Sequence, residues 1–217
     1  ATILNAPRDI RVEDVPDLTP EERRALSEFI LDAAPEPEHP MELQFGDRVR
    51  LIGYDTSADE ITPGTPFTIT FYWEVQRTMG GGWIQFTHVA DASGESRINR
   101  DEGSGIRQRY AARRWHGGEW IRDPVEVTIP ADWGSDRAVF YVGFWREDDT
   151  ARLDVTSGPE DGTDRGEAAS IPVRAVAADP APAGAAPVPT APVPAMRAPH
   201  TTAPIVIDGV LDEPDWA

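Results

Sequence analysis

Residues 67–73, Phe-Thr-Ile-Thr-Phe-Tyr-Trp, have the side-chain pattern of a β-strand. Large apolar side chains occupy every second position, and two threonines and a tyrosine lie between them. Successive side chains of a β-strand point to opposite faces of the sheet, so this alternation predicts a strand with one buried face. A helix, with its period of about 3.6 residues, would scatter the same apolar residues around its circumference.

Further strand-like runs lie on both sides of this segment. Apolar runs rich in β-branched and aromatic residues recur at 49–54, 83–90, 125–129 and 138–145, with Gly- and Pro-containing turn signals between them. Short strands separated by turns at such intervals are typical of packed antiparallel sheets. We therefore predict a mostly β protein, an antiparallel β-sandwich of the jelly-roll or immunoglobulin-like type, over residues 41–175.

Residues 1–40 are predicted to form an N-terminal extension with one short helix, over 19–32. Thr19 is a good helix N-cap, Pro20 suits the first helical position, and Glu22 completes a capping box. Apolar residues then follow at helical spacing. We interpret the helix as a packing or spacer element, with docking to another protein as the alternative.

Residues 176–202 are predicted to be a Pro/Ala-rich linker. Proline recurs every two or three residues there, which excludes a helix and favours an extended, semi-rigid, disordered spacer. A new pattern begins at 203–217, with a short β-run, an Asp-Gly turn and an acidic helix start. So short a segment cannot bury a core, so it is interpreted as the truncated start of a second domain.

The composition restricts the partners of the chain. Its 217 residues carry 38 acidic and 20 basic side chains, a formal net charge of −18. Such a surface repels nucleic acid and anionic lipid, and both are excluded as expected partners. No apolar run approaches the roughly 18 residues of a membrane span. The absence of cysteine excludes disulfides, thiolate metal sites and a cysteine nucleophile.

Several motifs of the central region resemble a β-sandwich module of bacterial envelope proteins. They are FGDRVRLIGYD at 45–55, FTITFYW at 67–73, FTHVAD at 86–91 and RWHGGE at 114–119. The module recurs at the exported end of membrane-bound glycosyltransferases of the mannosyltransferase-like type. The resemblance covers residues 42–175 and implies a sandwich fold and an exported location.

A second, shorter resemblance lies after the linker. The sequence Ile-Asp-Gly-Val-Leu-Asp-Glu-Pro-Asp-Trp, residues 207–216, is similar to the opening of family 9-type carbohydrate-binding modules. The resemblance implies a carbohydrate-binding domain whose sugar-contacting aromatic residues would come later in the chain. None of that family's binding residues can therefore be assigned to a position of this sequence.

Catalytic and metal-binding signals are weak throughout the sequence. The four histidines show no metal-ligand spacing, and neither a Gly-x-Ser-x-Gly nor a Walker motif is present. Acidic residues at 161, 164 and 167, in a Gly-containing loop, offer oxygen ligands for calcium, as do residues around Asp101. Chance clusters are expected in so acidic a chain, so we predict no cofactor, with calcium as the alternative, and no enzymatic activity for these residues.

Tryptophan is the residue type that points most directly to binding. Indole rings stack on the C–H faces of sugars. Trp73 and Trp145 end apolar alternations and are predicted to lie in the core. Four others lie beside glycines or charged residues near turns and are predicted to be partly exposed carbohydrate-binding residues: Trp83, Trp115, Trp120 and Trp133. Trp115 and Trp120, five positions apart, are the best candidates for a shared face, and the alternative is that all four are core or strand-edge aromatics.

Together these patterns predict a non-catalytic binding or spacer module of a secreted or surface-exposed bacterial multidomain protein linked to carbohydrate recognition. The expected partner is a polysaccharide or an envelope glycan, and the expected location is the periplasm, the cell surface or the medium. Two alternatives stay open: a protein–protein adhesion or scaffold domain of the cell envelope, and an exported appendage of a glycosyltransferase.

Overall fold

The structure, a computed structural model, describes residues 15–94, 97–101, 105–147 and 149–174. The described residues belong to one unit of the chain, which ends at Val176. The predicted linker at 176–202 and the predicted domain start at 203–217 lie outside the described residues.

Strands dominate the described part of the chain. Their bounds are β1 Ile30–Leu31, β2 His39–Phe45, β3 Val49–Thr56, β4 Phe67–Val75, β5 Ile84–Asp91, β6 Arg97–Asn99, β7 Trp120–Val127, β8 Arg137–Trp145, β9 Val155–Ser157 and β10 Gly166–Pro172. Two short α-helices, α1 Pro20–Ala25 and α2 Gly105–Arg109, and a 3-10 helix at Ala112–Arg114 complete the elements. Within these described ranges, no helix has the length and apolar character that crossing a membrane requires.

The strands form two antiparallel sheets. The six-stranded sheet has the order β1-β7-β4-β3-β2-β9, and the four-stranded sheet has the order β10-β8-β5-β6. Every strand pairing within them is antiparallel. The two sheets share a single core of buried apolar side chains. The prediction of a mostly β, antiparallel sandwich is therefore confirmed.

The strand predicted at residues 67–73, β4, lies inside the six-stranded sheet between β3 and β7. Its residue Trp73 is fully buried, between Leu51 on one neighbouring strand and Ile121 on the other. The Trp73 ring also meets Phe144 of the other sheet edge-on, with 5.3 Å between ring centroids. Such aromatic pairs contribute about 0.5–1.5 kcal/mol beyond their buried area, so Trp73 joins the two sheets.

The N-terminal helix is present but shorter than predicted. Its capping box is formed, because the Glu22 amide donates to Thr19 Oγ1 at 3.2 Å and the Thr19 amide donates to Glu22 Oε2 at 2.9 Å. The helix ends at Ala25, however, so its predicted extent of 19–32 is wrong.

The residues after α1 join the sandwich instead of continuing the helix. Ile30 and Leu31 form β1, which pairs with Ile121 and Trp120 of β7. Phe29 is 4% exposed and its carbonyl accepts from the Arg122 amide at 2.7 Å. Pairing with the β7 edge both buries these side chains and satisfies their backbone groups, which an isolated final helical turn would not. The sheet thus begins before the predicted boundary at residue 41.

Candidate functional site

The structure overturns the exposure expected of three of the four candidate tryptophans. Trp115 is 1% exposed, and its ring packs 6.3 Å from Trp73. Trp83 and Trp133 are 8% and 9% exposed. The guanidinium of Arg146 covers the Trp83 ring at 4.7 Å. The predicted partial exposure is therefore wrong for Trp83, Trp115 and Trp133, because each ring completes the core or is covered by a neighbour.

Trp120 alone of the four is partly exposed. It precedes the buried Ile121 on β7, so its side chain points away from the core, on the outer face of the six-stranded sheet. Its direct cross-strand neighbours are Leu31 of β1 and Glu74 of β4, and Glu74 forms an ion pair with Arg50 at 2.7 Å. Trp115 lies in the core and Trp120 lies outside it, so the two residues do not share the predicted face.

Trp145, by contrast, was predicted to lie in the core and is partly exposed. It is the last residue of β8, opposite Ile84 of β5. There it forms part of the wall of a depression of about 240 Å³ on the four-stranded sheet. We call this depression the basin, and its walls include Phe86, His88, Arg97, Asp101, Trp145 and Arg152.

The basin lies on the outer face of the four-stranded sheet. Thr87 of β5 faces Val142 of β8 in the core, so the flanking residues Phe86 and His88 point the opposite way. Both are nevertheless buried, at 1% and 4% exposure. Arg152 covers the Phe86 ring from outside, with its guanidinium 5.5 Å from the ring centroid. Strand β5 is therefore buried on both of its faces.

An aromatic floor underlies the basin. The rings of Phe86 and His88 are stacked, with centroids 4.6 Å apart and an angle of 22° between their planes. Gly143 lies beneath this floor, and a Cβ added there would come within 2.5 Å of Phe86 Cζ. The absence of a side chain at Gly143 is what lets the Phe86 ring lie against the sheet.

Two arginines of the basin are held in place by other side chains or backbone groups. Arg97 Nε donates to Asn99 Oδ1 at 2.8 Å, and its NH2 lies 3.0 Å from His88 Nε2. Arg152 NH1 donates to the hydroxyl of Thr163 at 3.0 Å and also to its carbonyl. Each guanidinium keeps further N–H groups that no other described residue engages. Both are positioned before any ligand arrives.

His88 Nε2 faces two charged groups of the basin. It lies 3.0 Å from the Arg97 guanidinium, which can only donate, and 3.5 Å from Asp101 Oδ1. Among the described residues, His88 Nδ1 is buried without a hydrogen-bond partner, and so is Asp101 Oδ1. Two buried polar atoms at the basin therefore lack a hydrogen-bond partner within the part of the chain that the structure describes.

A second pocket, of about 250 Å³, borders the basin at Asp101 and extends to Gln85. The Gln85 amide nitrogen donates to Asp123 Oδ2 at 2.7 Å, because a carboxylate only accepts. Arg107 of α2 forms an ion pair with the same oxygen at 2.8 Å, and Asp123 is 0% exposed. This buried pair attaches α2 to β7, and its Arg107 also lines the pocket.

A second buried polar cluster stabilises the loop before β7. The Tyr110 hydroxyl lies 3.0 Å from both Glu119 Oε2 and His116 Nδ1. Burial, and then the negative charge of Glu119, raise the pKa of Tyr110 well above its usual value. Glu119 also accepts from the His116 amide at 2.9 Å. Since the Tyr110 hydroxyl, the Glu119 carboxylate and His116 Nδ1 satisfy one another, and His116 Nε2 lies 3.5 Å from Asp17, we interpret the cluster as structural.

The loop considered for calcium uses its first carboxylate internally. Asp161 Oδ1 accepts from the Thr163 hydroxyl at 2.8 Å, and Oδ2 accepts from Arg165 Nε at 2.6 Å. Over the described ranges, no group of three or more His, Asp or Glu side chains is arranged to hold a metal ion. The expectation that the chain needs no cofactor stays a prediction.

Comparison with known proteins gives no assignment. No protein-family model matches this chain, and no curated protein matches it.

Some of the residues that line the basin could have been identified from the sequence. Trp145 ends a strand and precedes the charged residues Arg146 and Glu147. A position beside charged residues is the same criterion that selected the other four tryptophans. Arg97 lies two positions before Asn99 on β6, so both point to one face, and Asn99 pairs directly with His88. The contribution of Arg152 carries no such signal, because it comes from a loop beyond β8 and reaches the basin only through the fold.

Proposed function

We propose that this sandwich is a non-catalytic glycan-binding module of a secreted or surface-exposed bacterial protein, and that the basin is its binding site. The observation that carries the proposal is the combination, in one depression, of an aromatic wall, anchored guanidinium groups and a partly exposed carboxylate.

Sugars match this combination of surfaces. Their C–H faces pack on aromatic rings, and Trp145 supplies a partly exposed indole at the basin wall. Their hydroxyls both donate and accept, which suits the partly exposed Asp101 carboxylate and the guanidinium groups of Arg97 and Arg152. The basin, at about 240 Å³, has the scale of a sugar unit, whereas pockets for drug-sized ligands start at about 300 Å³.

The lining of the basin supports binding without hydrolysis. Glycoside hydrolysis commonly uses two carboxyl groups flanking the scissile bond, roughly 5–9 Å apart. Asp101 is the single carboxylate among the described residues that line the basin. A single carboxylate beside two guanidinium groups can orient a sugar, but it does not provide the paired acid and base.

The exported location rests on the sequence. A Pro/Ala-rich stretch at 176–202 and the resemblance of 207–216 to a carbohydrate-binding module are typical of secreted multidomain proteins. In such a protein, the sandwich would supply a second point of attachment to a glycan, which raises the overall avidity without stronger individual contacts.

Affinity electrophoresis of the 217-residue chain in gels containing different polysaccharides tests the proposal. We expect retardation by at least one polysaccharide, and about tenfold weaker binding after Trp145→Ala, equivalent to about 1.4 kcal/mol. Trp120→Ala, which removes a partly exposed indole from the other sheet, is the matched control and should bind normally. Retardation by no polysaccharide, or retardation unaffected by Trp145→Ala, would contradict the proposal.

An adhesion or scaffold role is the second candidate, and one surface favours it. The outer face of the six-stranded sheet carries Trp120 beside a row of paired charges, Glu42, Arg50 and Glu74. Aromatic and arginine residues are enriched in protein interfaces. If Trp120→Ala, and not Trp145→Ala, abolishes binding to envelope material, this role replaces the glycan site.

A further inference from the structure

We infer that the ligand of the basin is an acidic saccharide, one that carries a carboxylate as uronic acids do. This inference rests on the proposed glycan-binding function and specifies the chemical class of the glycan. Its basis is the charge of the described residues that line the basin, among which the guanidinium groups of Arg97 and Arg152 outnumber the single carboxylate of Asp101.

The first guanidinium, Arg97, is oriented by two of its nitrogens. Nε donates to Asn99, and NH2 contacts His88, so the plane of the group is fixed while its NH1 stays unengaged by the described residues. The geometry of a guanidinium matches the two oxygens of a carboxylate, and such charge-assisted bonds are about twice as strong as neutral ones. An anchored arginine also loses less side-chain entropy on binding.

The second guanidinium, Arg152, belongs to a different segment of the chain. Thr163 engages its NH1 through both the hydroxyl and the carbonyl oxygen, and its remaining nitrogens have no partner among the described residues. Its position 5.5 Å from the Phe86 ring centroid places it against the aromatic floor. The basin therefore presents two fixed positive groups from β6 and from the loop after β8.

The Asp101 carboxylate completes the recognition of a sugar acid. Its side chain is 30% exposed, and a carboxylate accepts hydrogen bonds from the hydroxyl groups of a sugar ring. A neutral sugar would use this carboxylate and leave the guanidinium groups without an anionic partner. Recognition of a carboxylate on the ligand therefore follows from the arginines, and recognition of a saccharide follows from Asp101 and Trp145.

The net charge of −18 limits the length of the ligand. An acidic protein repels a long polyanion, which is the reason that nucleic acid is an unsuitable partner. At physiological ionic strength this repulsion is screened beyond about 8 Å. For a short acidic oligosaccharide, or a polymer with widely spaced acidic units, the attraction to Arg97 and Arg152 therefore outweighs the repulsion by the rest of the protein.

Isothermal titration of the full chain with three matched probes tests the inference. The probes are a trisaccharide of galacturonic acid, the neutral galactose trisaccharide of the same linkage, and a sulfated galactose trisaccharide. We expect the uronic acid trisaccharide to bind at least tenfold more tightly than the other two. We expect Arg97→Gln to remove most of that preference, while Arg77→Gln, on a loop outside the basin, preserves it.

The possible outcomes separate the inference from the proposed function. Equal or tighter binding of the neutral trisaccharide, still lost in Trp145→Ala, would overturn the inference and leave the proposed function intact. Preference for the sulfated probe would likewise overturn the assignment of a carboxylate. Binding of no saccharide, natural polysaccharides included, would overturn both. Arg97 is exposed, so its replacement should leave the fold intact, and near-ultraviolet circular dichroism of each variant verifies this.

Discussion

Phe86 and Gly143 are in such close contact that no side chain fits between them. A Cβ built on Gly143 would lie 2.5 Å from Phe86 Cζ and 3.2 Å from the Asp164 carbonyl oxygen. Because strand β8 cannot move away from its two neighbours, the ring would have to move instead. The shape of the basin thus depends on the absence of a methyl group at position 143.

Replacing Gly143 by alanine is therefore expected to displace the Phe86 ring. Overpacking of this kind typically costs about 1–3 kcal/mol of the free energy of unfolding, and we expect the Gly143→Ala variant to lose glycan affinity as well. Urea denaturation measures the first effect and affinity electrophoresis the second. Gly134→Ala is the matched control, since nothing lies within 4 Å of a Cβ there. Equal stability of the two variants would show that the Phe86 contact is not restrictive.

Trp115 is expected to matter for stability and not for ligand binding. It is 1% exposed, and its Nε1 donates to the Tyr110 carbonyl at 3.0 Å. Truncation of a buried tryptophan to alanine typically costs about 3–5 kcal/mol, whereas Trp120→Ala, at a partly exposed position, should cost far less. Chemical denaturation of both variants provides the comparison. The milder Trp115→Phe should fold and bind normally, and reduced glycan affinity in that folded variant would restore a binding role to Trp115.

The Arg107–Asp123 pair offers a test of how the sandwich tolerates buried charge. The two side chains are 6% and 0% exposed. Removing one partner leaves the other charge buried, so we expect Asp123→Leu to lose about 3–5 kcal/mol of unfolding free energy. The double replacement Arg107→Met with Asp123→Leu should recover part of that loss, because it removes both charges. A double variant less stable than Asp123→Leu alone would contradict this reading of the pair.

Asp161 should contribute stability in a pH-dependent way. Burial by itself would raise the pKa of Asp161, but hydrogen bonds from Thr163 and Arg165 outweigh it and hold the pKa below the usual value of 3.8. A lowered pKa in the folded state means that the ionised carboxylate stabilises the fold at pH values above 3.8, and this contribution is lost as pH falls through the lowered pKa.

The measurement for Asp161 is the melting temperature of Asp161→Asn relative to the original chain, at neutral pH and at about pH 2. We expect the variant to be less stable at neutral pH and the difference to shrink in acid. Asp59→Asn, at an exposed position, serves as the control. A difference that stays constant with pH would mean that the Asp161 charge does not support the loop.

The sequence was sufficient to predict the sheet pattern and insufficient to predict which faces are covered. Alternation at 67–73 correctly indicated a strand, because the side-chain period of a strand is independent of its surroundings. Exposure of a tryptophan depends on distant residues. Trp83 lies beside glycines, as an exposed ring would, yet Arg146 covers it. Trp145 closes an apolar run, as a core residue would, yet the strand ends there and leaves the indole at the surface.

The end of the first helix shows the same limit. Apolar residues at helical spacing after Thr19 fit a helix up to residue 32, and local propensity offers no reason to stop at Ala25. The competing factor is the edge of β7, nearly a hundred residues away, whose backbone groups pair with Ile30 and Leu31. Such a partner does not show in the local sequence, so tertiary pairing overrode the helical pattern.

The pairing of β1 with β7 also determines where this protein can be shortened. Beginning the chain at residue 41, where the alternation of the sandwich first becomes obvious, would remove β1 and leave Trp120 and Ile121 on an open sheet edge. An uncovered edge with apolar and aromatic side chains is a template for strands of other molecules. By covering this edge, Ile30 and Leu31 prevent β7 from pairing with a strand of another molecule.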